Sequence, residues 1–283
     1  MSNLNAADLT IGIVGAGAMG RGIAQVSITG GMKALLFDAA DGAAAKAEEF
    51  IHGMLDRNVD KGRMEAADAE AAKSRLSVVS TLEGLAPCNL VVEAIVENIA
   101  IKQEVFTSLE KVVADDAIIA SNTSSIRIAS IAAACERKDR IAGLHFFNPV
   151  PLMRLVEVIR APHTSDKTAD TLIEIGKFMG RTPVIAKDGP GFLVNLGGRA
   201  YTTEAMRLLH EGVASPAQID AVMRDCCNFR MGPLELADLT GIDVNFPVSK
   251  IILEGYFGDQ RLATSPIHEA MREAGLLGRK TKA

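Results

Sequence analysis

The sequence contains no tryptophan and only two tyrosines among its 283 residues. Aromatic platforms on which single-stranded nucleic acids stack are therefore scarce. Positive charge is also in deficit, because 35 Asp and Glu outnumber 30 Lys and Arg and leave a net charge of -5. A surface of this sign does not attract phosphate backbones. We therefore expect small molecules, and not nucleic acids, as the main partners of this chain.

Cysteines are few and lack the spacing of a metal site or of a secreted disulfide framework. The four are Cys88, Cys135, Cys226 and Cys227, so we expect no bound metal and a reducing, cytoplasmic setting. Residues 1–8 lack the basic and apolar regions of a signal peptide. No uninterrupted apolar run approaches the length of a membrane-spanning helix, and we expect no membrane partner.

A glycine-rich turn follows the first apolar run, residues 9–14. It reads Gly15-Ala16-Gly17-Ala18-Met19-Gly20, and a strand over 34–37 then ends at Asp38. In this arrangement the glycines permit a tight turn, a close pyrophosphate and close packing of helix on strand, and the helix N-terminus attracts the phosphates. Asp38 is placed to bond the ribose hydroxyl. Because Ala39-Ala40-Asp41 offers no cation for a 2′-phosphate, the pattern favours NAD over NADP; a glycine turn without a ligand is the alternative.

Short strands alternate with helical patterns as far as residue 187. This alternation predicts an α/β domain over 1–187 with a doubly wound, mostly parallel sheet of the Rossmann type. The segment 187–191, Lys-Asp-Gly-Pro-Gly, is the best candidate for a linker. No convincing strand follows it, and helical patterns begin near residues 192, 215, 233 and 266. We expect a smaller all-α domain over 188–283.

Polar residues stand where several predicted strands end. Glu97 follows the strand 89–95, and Ser124 and Ser125 follow the strand 117–121. One of these serines is expected to cap the helix predicted over 126–134. In open α/β sheets ligands bind at the carboxyl ends of the strands, so these residues are candidates for a binding edge.

The segment 140–159 reads as a strand, an Asn-Pro turn and a second strand. His145 closes the first strand, and Glu157 lies within the otherwise apolar second one. A buried carboxylate requires a partner, and a histidine is the natural one. A carboxylate on one ring nitrogen fixes the tautomer and lets the other nitrogen accept a proton. A purely structural His–Glu pair is the alternative.

These motifs together resemble the L-3-hydroxyacyl-CoA dehydrogenases, which include the 3-hydroxybutyryl-CoA dehydrogenases. The resemblance covers nearly the whole chain and implies an enzyme of fatty-acid or butanoate metabolism that oxidises an L-3-hydroxyacyl-CoA, first of all a short one, with NAD. Besides the glycine turn and Asp38, the matching segments are 90–98, 121–125, 143–149, 155–158, 189–195, 231–238 and 278–281.

The resemblance also implies roles for single residues. His145 looks like the catalytic base and Glu157 like its orienting carboxylate, while Ser124 and Asn195 match residues that hold the substrate's 3-oxygen and thioester. Lys61 matches a lysine that meets the CoA phosphates. The positions that match cofactor contacts are Gly15, Gly17, Ala18, Met19, Gly20, Asp38, Glu97, Lys102, Ser124, Asn148 and Lys280.

Three features depart from the family pattern. Met54 stands where the family has a serine that accompanies the CoA-binding lysine. Gly197 and Gly198 interrupt the helix after Asn195, and we expect close packing there because each costs about 1 kcal/mol relative to Ala. The chain ends at Lys282-Ala283, short of the family's aromatic end, which suggests a shortened chain or the front part of a longer enzyme.

Other functions stay open at this point. The acyl group could be dicarboxylic, as in 3-hydroxyadipyl-CoA. The substrate could instead be a free 3-hydroxyacid, because NAD-linked dehydrogenases of such acids share the glycine turn. A non-catalytic NAD-binding protein is a third alternative. The family and the apolar C-terminal helices imply a homodimer formed through the helical domain.

Overall fold

The computed structural model describes residues 4–282. Residues 1–3 of the N-terminal stretch considered above and Ala283 at the chain end lie outside the described residues. The chain divides into two compact units, the first ending at Asp188 and the second beginning at Gly189. No helix within residues 4–282 combines the length and the apolar character that crossing a membrane requires.

The first unit is built on a sheet whose strands are β1 (Thr10–Val14), β2 (Lys33–Phe37), β3 (Leu76–Val78), β4 (Leu90–Glu93), β5 (Ile118–Ser121), β6 (Ile141–Phe146), β7 (Leu155–Arg160) and β8 (Thr182–Lys187). Their order in the sheet is β3-β2-β1-β4-β5-β6-β7-β8. All neighbours are parallel except β6 and β7, which are antiparallel. The predicted doubly wound, mostly parallel sheet is confirmed.

Helices accompany this sheet: α1 (Ala18–Thr29), α2 (Ala43–Asp60), α3 (Ala66–Lys73), α4 (Ile99–Val112), α5 (Ile128–Ala132) and α6 (Asp166–Phe178). β4 and β5 are buried along their whole length, as expected for central parallel strands with both faces covered. The main core joins Ile13 of β1, Ile23 of α1, Leu55 of α2 and Leu172 of α6. This core fixes the carboxyl ends of β1, β2, β4, β5 and β6 along one edge.

The start of α5 differs from the prediction. Neither Ser124 nor Ser125 caps it, because the helix begins later, at Ile128. The carboxylate of Asp188 instead accepts hydrogen bonds from the backbone N–H groups of Ile128 at 2.8 Å and Ala129 at 2.7 Å. A side chain 60 residues away in sequence thus takes the place of the local cap, and the two serines remain in the loop after β5.

The second unit is helical over its described residues. Its helices are α7 (Val194–His210), α8 (Pro216–Ala221), α9 (Pro233–Thr240), α10 (Ile242–Gly255) and α11 (Pro266–Glu273), with a π-helical turn over Val222–Cys226. The helices expected near residues 192, 215, 233 and 266 are confirmed. The sequence patterns do not predict α10, because Pro247 lies inside it and proline ordinarily ends a helix.

The expectation of close packing at Gly197 and Gly198 is wrong. A Cβ atom built on either residue would meet nothing within 4 Å. Both residues lie within α7, in an ordinary helical conformation. The space beside these two glycines is therefore open, and no neighbouring helix within residues 4–282 packs against them.

Candidate active site

The glycine turn has the geometry that a dinucleotide requires. Gly15 has a positive φ of 103°, and a Cβ on Gly20 would lie 1.7 Å from the carbonyl oxygen of Gly15. Neither position admits another residue without rebuilding the turn. A Cβ on Gly17, in contrast, would meet nothing within 4 Å. The open side of the turn thus lies over the N-terminus of α1, where Ala18 and Met19 begin the helix.

Asp38 is held in place at the end of β2. Its Oδ2 accepts the N–H of Ala16 at 2.6 Å, and its Oδ1 accepts the N–H of Ala40 at 2.8 Å. A carboxylate oxygen has a second acceptor position, so a ribose hydroxyl can still bind. The residues fit NAD, because α1 offers N–H groups to a pyrophosphate and Asp38 would repel a 2′-phosphate.

Glu97 accepts hydrogen bonds from two hydroxyl groups of the loop after β5. Its Oε1 accepts a hydrogen bond from Ser125 Oγ at 2.7 Å and another from the Thr123 hydroxyl, and its Oε2 lies 3.3 Å from Lys102 Nζ. Burial raises the pKa of Glu97, but the hydrogen bonds from Thr123 and Ser125 and the charge of Lys102 outweigh it and hold the pKa below its ordinary value. The ionised carboxylate therefore ties this loop to the end of β4.

Lys102 lies beneath this edge in a buried ion pair. Its Nζ is 2.6 Å from Oε1 of Glu93, and Ser121 Oγ donates to Oε2 of Glu93 at 2.6 Å. Glu93 is fully buried, and the Lys102 side chain is 1% exposed. The ammonium group is thus shared between Glu93 and the more exposed Glu97. The sequence analysis did not anticipate this pair.

His145 and Glu157 face each other across the antiparallel pair β6–β7. The distance between His145 Nδ1 and Glu157 Oε2 is 2.6 Å. Glu157 is fully buried and His145 is 5% exposed, so little water competes for their hydrogen bond. The ring of Phe147 packs on the imidazole with a centroid distance of 4.6 Å. The predicted pairing is confirmed, and its register explains why a carboxylate is tolerated on β7.

Asn122, which the sequence analysis missed, connects the strand of His145 to the loop after β5 that carries Ser124. Asn122 Oδ1 accepts the N–H of Phe146, next to His145, at 2.9 Å. The backbone N–H of Asn122 donates to the backbone carbonyl of Glu93 at 2.8 Å. Asn122 therefore fastens the loop that carries Ser124 to the ends of β4 and β6. An asparagine directly after a buried strand, at the edge where ligands bind in open α/β sheets, was the available signal.

A cavity of about 520 Å³ opens beside this edge, and we name it the α1–α2 cavity. Its volume lies in the range of small-molecule sites. Asn148, three residues after His145 in the turn that follows β6, is one of its lining residues. The cavity is lined by Arg21 and Gln25 of α1, by Phe50, Met54 and Asn58 of α2, and by Asn148.

The other residues singled out from the sequence lie elsewhere. Lys61 follows the last residue of α2 and is exposed, and it is not among the residues that line the α1–α2 cavity. Asn195 and Lys280 belong to the second unit. Asn195 is the second residue of α7, and Lys280 Nζ pairs with Asp243 at the start of α10. Within residues 4–282 no three His, Cys, Asp or Glu side chains form a group that could hold a metal ion.

Comparison with known proteins agrees with this geometry. The family description "3-hydroxyacyl-CoA dehydrogenase, NAD binding domain" matches residues 10–189, and "3-hydroxyacyl-CoA dehydrogenase, C-terminal domain" matches residues 191–283. The two matches together cover almost the whole chain and meet near the boundary between the two units.

Individual relatives are similar over most of the chain. A protein of Escherichia coli K12 named 3-hydroxyadipyl-CoA dehydrogenase is 39% identical over 96% of this chain, which spans only 57% of that relative's length. The human mitochondrial hydroxyacyl-coenzyme A dehydrogenase is 43% identical over 91% of this chain and 82% of its own.

The fold is also similar to that of a solved structure. The crystal structure of (S)-3-hydroxybutyryl-CoA dehydrogenase from Ralstonia eutropha superposes with a TM-score of 0.91 at 40% identity, and the match covers 96% of each chain. With both domains of the family matched in order, an NAD-binding turn at Gly15–Gly20 and a buried His–Glu pair, this chain belongs to the 3-hydroxyacyl-CoA dehydrogenase family of NAD-dependent oxidoreductases.

Proposed function

We propose that the chain oxidises the 3-hydroxyl group of an L-3-hydroxyacyl-CoA to the 3-oxoacyl-CoA, with NAD as the oxidant. One observation carries the proposal, the 2.6 Å contact between His145 and the fully buried Glu157 at the edge where the glycine turn and Asp38 also lie. Oxidation of an alcohol releases a proton together with the hydride. A histidine oriented by a carboxylate is suited to take that proton.

The chain's own residues perform the proton chemistry. NAD, when bound, supplies the acceptor for the hydride that leaves C3. His145 accepts the hydroxyl proton at Nε2, because its Nδ1 faces Glu157. Glu157 holds the ring in one orientation and stabilises the positive charge that the ring gains. Burial of the pair excludes the water that would otherwise screen this charge.

We further propose that polar side chains orient the substrate and the cofactor. Ser124 and Asn195 would bond the C3 oxygen and the thioester. Asp38 would bond a ribose, with Glu97, Lys102, Asn148 and Lys280 as further groups on the cofactor side. The loop that carries Ser124 is fixed by Glu97 and Asn122, which supports a defined position for its hydroxyl.

Replacement of His145 tests the proposal directly. We expect His145→Gln to lower turnover by roughly 10²–10⁴, the usual contribution of a general base, while NADH binding measured by fluorescence titration stays unchanged. His163→Gln, at an exposed position, is the matched control and should retain full turnover. Near-normal turnover of His145→Gln would refute the role given to this histidine.

For the acyl group we propose a short chain, first of all 3-hydroxybutyryl-CoA. The similar crystal structure with that name is matched over 96% of both chains. The relative named for 3-hydroxyadipyl-CoA is the reason to keep a dicarboxylic substrate as the second candidate. Comparison of kcat/KM for acetoacetyl-CoA and 3-oxoadipyl-CoA, with NADH, decides between the two. A preference for the dicarboxylic thioester would overturn the short-chain assignment.

A requirement for CoA separates this function from its competitors. We expect rapid oxidation of NADH with acetoacetyl-CoA, and little with acetoacetate or when NADPH replaces NADH. Turnover of the free acid would indicate a 3-hydroxyacid dehydrogenase. Absence of turnover with every substrate, while NADH still binds, would indicate a non-catalytic protein.

We also propose that the second unit forms a homodimer. Large apolar side chains are exposed on it, including Phe257 at 97% and Val213 at 63%. Val213 also borders an apolar cavity of about 400 Å³, together with Leu208 and Ile219. Exposed apolar patches of this kind favour protein contacts. Sedimentation should give twice the chain mass of 30.0 kDa, and a monomer at every concentration would contradict the proposal.

We propose a cytoplasmic location because the cysteines form no disulfide bonds among the described residues. Cys88, Cys135, Cys226 and Cys227 are all free thiols, and free exposed thiols persist in reducing compartments. Fractionation of the source cells should recover the enzyme with cytoplasmic markers. Recovery with an exported fraction would contradict this location.

A further inference from the structure

Two of the four cysteines stand next to each other, and both lie at the surface. Cys226 and Cys227 are exposed and form no disulfide within residues 4–282, and the proposed reaction makes no use of them. Adjacent thiols differ from a single one, because oxidation of either sulfur to a sulfenic acid leaves a second thiol within reach to condense with it. The pair can therefore form a disulfide within one chain, which an isolated cysteine cannot.

The other two thiols do not compete for an oxidant. Cys88 and Cys135 are buried. Burial raises the pKa of the Cys88 thiol to about 12, and burial together with the charge of Glu110 raises the pKa of the Cys135 thiol to about 11. Because the thiolate is the reactive form of cysteine, both thiols remain protonated and covered at neutral pH. Oxidation by a mild reagent is thus directed to the adjacent pair.

The pair ends a turn of unusual geometry. Val222–Cys226 form the π-helical turn, and Cys227 is the residue that follows it. Asn228 then adopts a left-handed φ of 58°, and the N–H of Phe229 donates to the carbonyl of Met223 at 3.1 Å. This hydrogen bond closes the chain around the two cysteines. Helical turns of the π type are rare and occur frequently at functional sites.

A bond between the two sulfurs is incompatible with this turn. Consecutive Cα atoms are about 3.8 Å apart, whereas the Cα atoms of two disulfide-bonded cysteines are usually about 4.4–6.8 Å apart. Neighbours in a helical turn also do not face each other. Closing the ring therefore rotates the peptide between Cys226 and Cys227 and ends the π-helical turn. A disulfide strained in this way is readily reduced again, so the change is reversible.

The turn forms part of the wall of the apolar cavity in the second unit. Val222, Met223 and Tyr201 are among the residues that line this cavity of about 400 Å³. Phe229 stacks on the Tyr201 ring with a centroid distance of 4.7 Å and an interplanar angle of 17°. The closing hydrogen bond thus joins Met223, which lines the cavity, to Phe229, which contacts a lining residue. Opening the turn changes the wall of the cavity.

We propose that Cys226 and Cys227 are a reversible redox site, which hydrogen peroxide converts to an intrachain disulfide and a dithiol restores, and that the conversion opens the turn over 222–229. One thiolate attacks a peroxide oxygen, so that an S–O bond forms as the O–O bond breaks, and the departing hydroxide takes up a proton as water. The second thiol attacks the sulfenic sulfur, and its proton leaves with the hydroxyl group as a second water. The two sulfurs lose two electrons, which the peroxide gains.

Mass spectrometry of the intact chain tests the chemistry. After treatment with hydrogen peroxide we expect a loss of about 2 Da, the mass of the two hydrogens removed. A titration of the unfolded chain should fall from four free thiols to two, and dithiothreitol should restore both values. Cys226→Ser and Cys227→Ser are the matched controls, because each keeps one exposed thiol, and neither should show the loss of mass. A gain of mass by oxygen addition to the wild-type chain, or a disulfide between two chains, would overturn the proposal.

Hydrogen exchange tests the opening of the turn. In the oxidised chain, protection of the Phe229 N–H should fall roughly tenfold or more, because its hydrogen bond to Met223 is lost, while protection in β4 and β5 of the first unit stays unchanged. The two serine variants should show the same protection with and without peroxide. A disulfide that forms without any change at Phe229 would show that the turn accommodates the ring and would overturn the conformational part of the proposal.

Discussion

Glu157 is the residue on which the proposed proton chemistry most depends after the histidine itself. Glu157→Gln keeps the size of the side chain and a hydrogen bond to His145 but removes the negative charge. We expect kcat to fall by about 10²–10⁴, because the charge that develops on the ring is no longer stabilised. NADH binding and the circular dichroism spectrum should stay unchanged. The change in kcat is measured at saturating acetoacetyl-CoA, and a variant with normal kcat would reduce the His–Glu pair to a structural feature.

At the scale of elements, α5 depends on a cap from a distant part of the chain. Asp188 bonds the N–H groups of Ile128 and Ala129, and loss of such a cap costs about 0.5–2 kcal/mol. Asp188→Ala should lower the free energy of unfolding of the first unit by that amount, measured by urea denaturation. Asp188→Asn retains one acceptor oxygen and should lose less. Equal stability of Asp188→Ala and wild type would show that water replaces the cap.

At the scale of the whole molecule, acid is expected to weaken the second unit before the first. Burial, together with the charge of Arg199, lowers the pKa of His268 from 6.5 to about 4. The unfolded chain therefore binds a proton more readily than the folded unit below pH 6.5, and stability falls from there towards pH 4 by on the order of 3 kcal/mol. In the first unit, the pKa of Glu97 is lowered from 4.5, so its stabilising contribution is complete above that value and is lost only below it.

Hydrogen exchange at pH 7 and pH 5 measures the two units separately. Protection of amides in α10 and α11 should fall at pH 5, while protection in the central strands β4 and β5 is retained. His268→Gln, which can still bond Thr264, should remove the difference between the two pH values in the second unit. A uniform loss of protection in both units would contradict the role of His268.

How much of this molecule could be predicted from its sequence depended on the range of the interactions. The glycine turn, the sheet and the His145–Glu157 pair follow local patterns, and the structure agrees with each. The cap of α5 by Asp188 and the Glu93–Lys102 pair join residues brought together by the fold, which periodicity does not reveal. The same holds for Arg21 of α1 and Phe50 of α2. The guanidinium carbon lies 3.9 Å from the centroid of the ring, a contact that depends on how the two helices pack. The sequence did not predict α10, because Pro247 ordinarily ends a helix. The tertiary contacts that stabilise this helix are not visible in the sequence.

The buried pair of Glu93 and Lys102 also restricts how this sequence can change over generations. Replacing Lys102 alone leaves the carboxylate of Glu93 inside the protein without its cation, at a cost of about 3–5 kcal/mol, which is a large part of the stability of an ordinary domain. Replacing Glu93 alone leaves Lys102 with Glu97, whose Oε2 lies 3.3 Å from Nζ, and so costs less. A lineage that carries this pair is therefore expected to keep both residues or to lose Glu93 before Lys102.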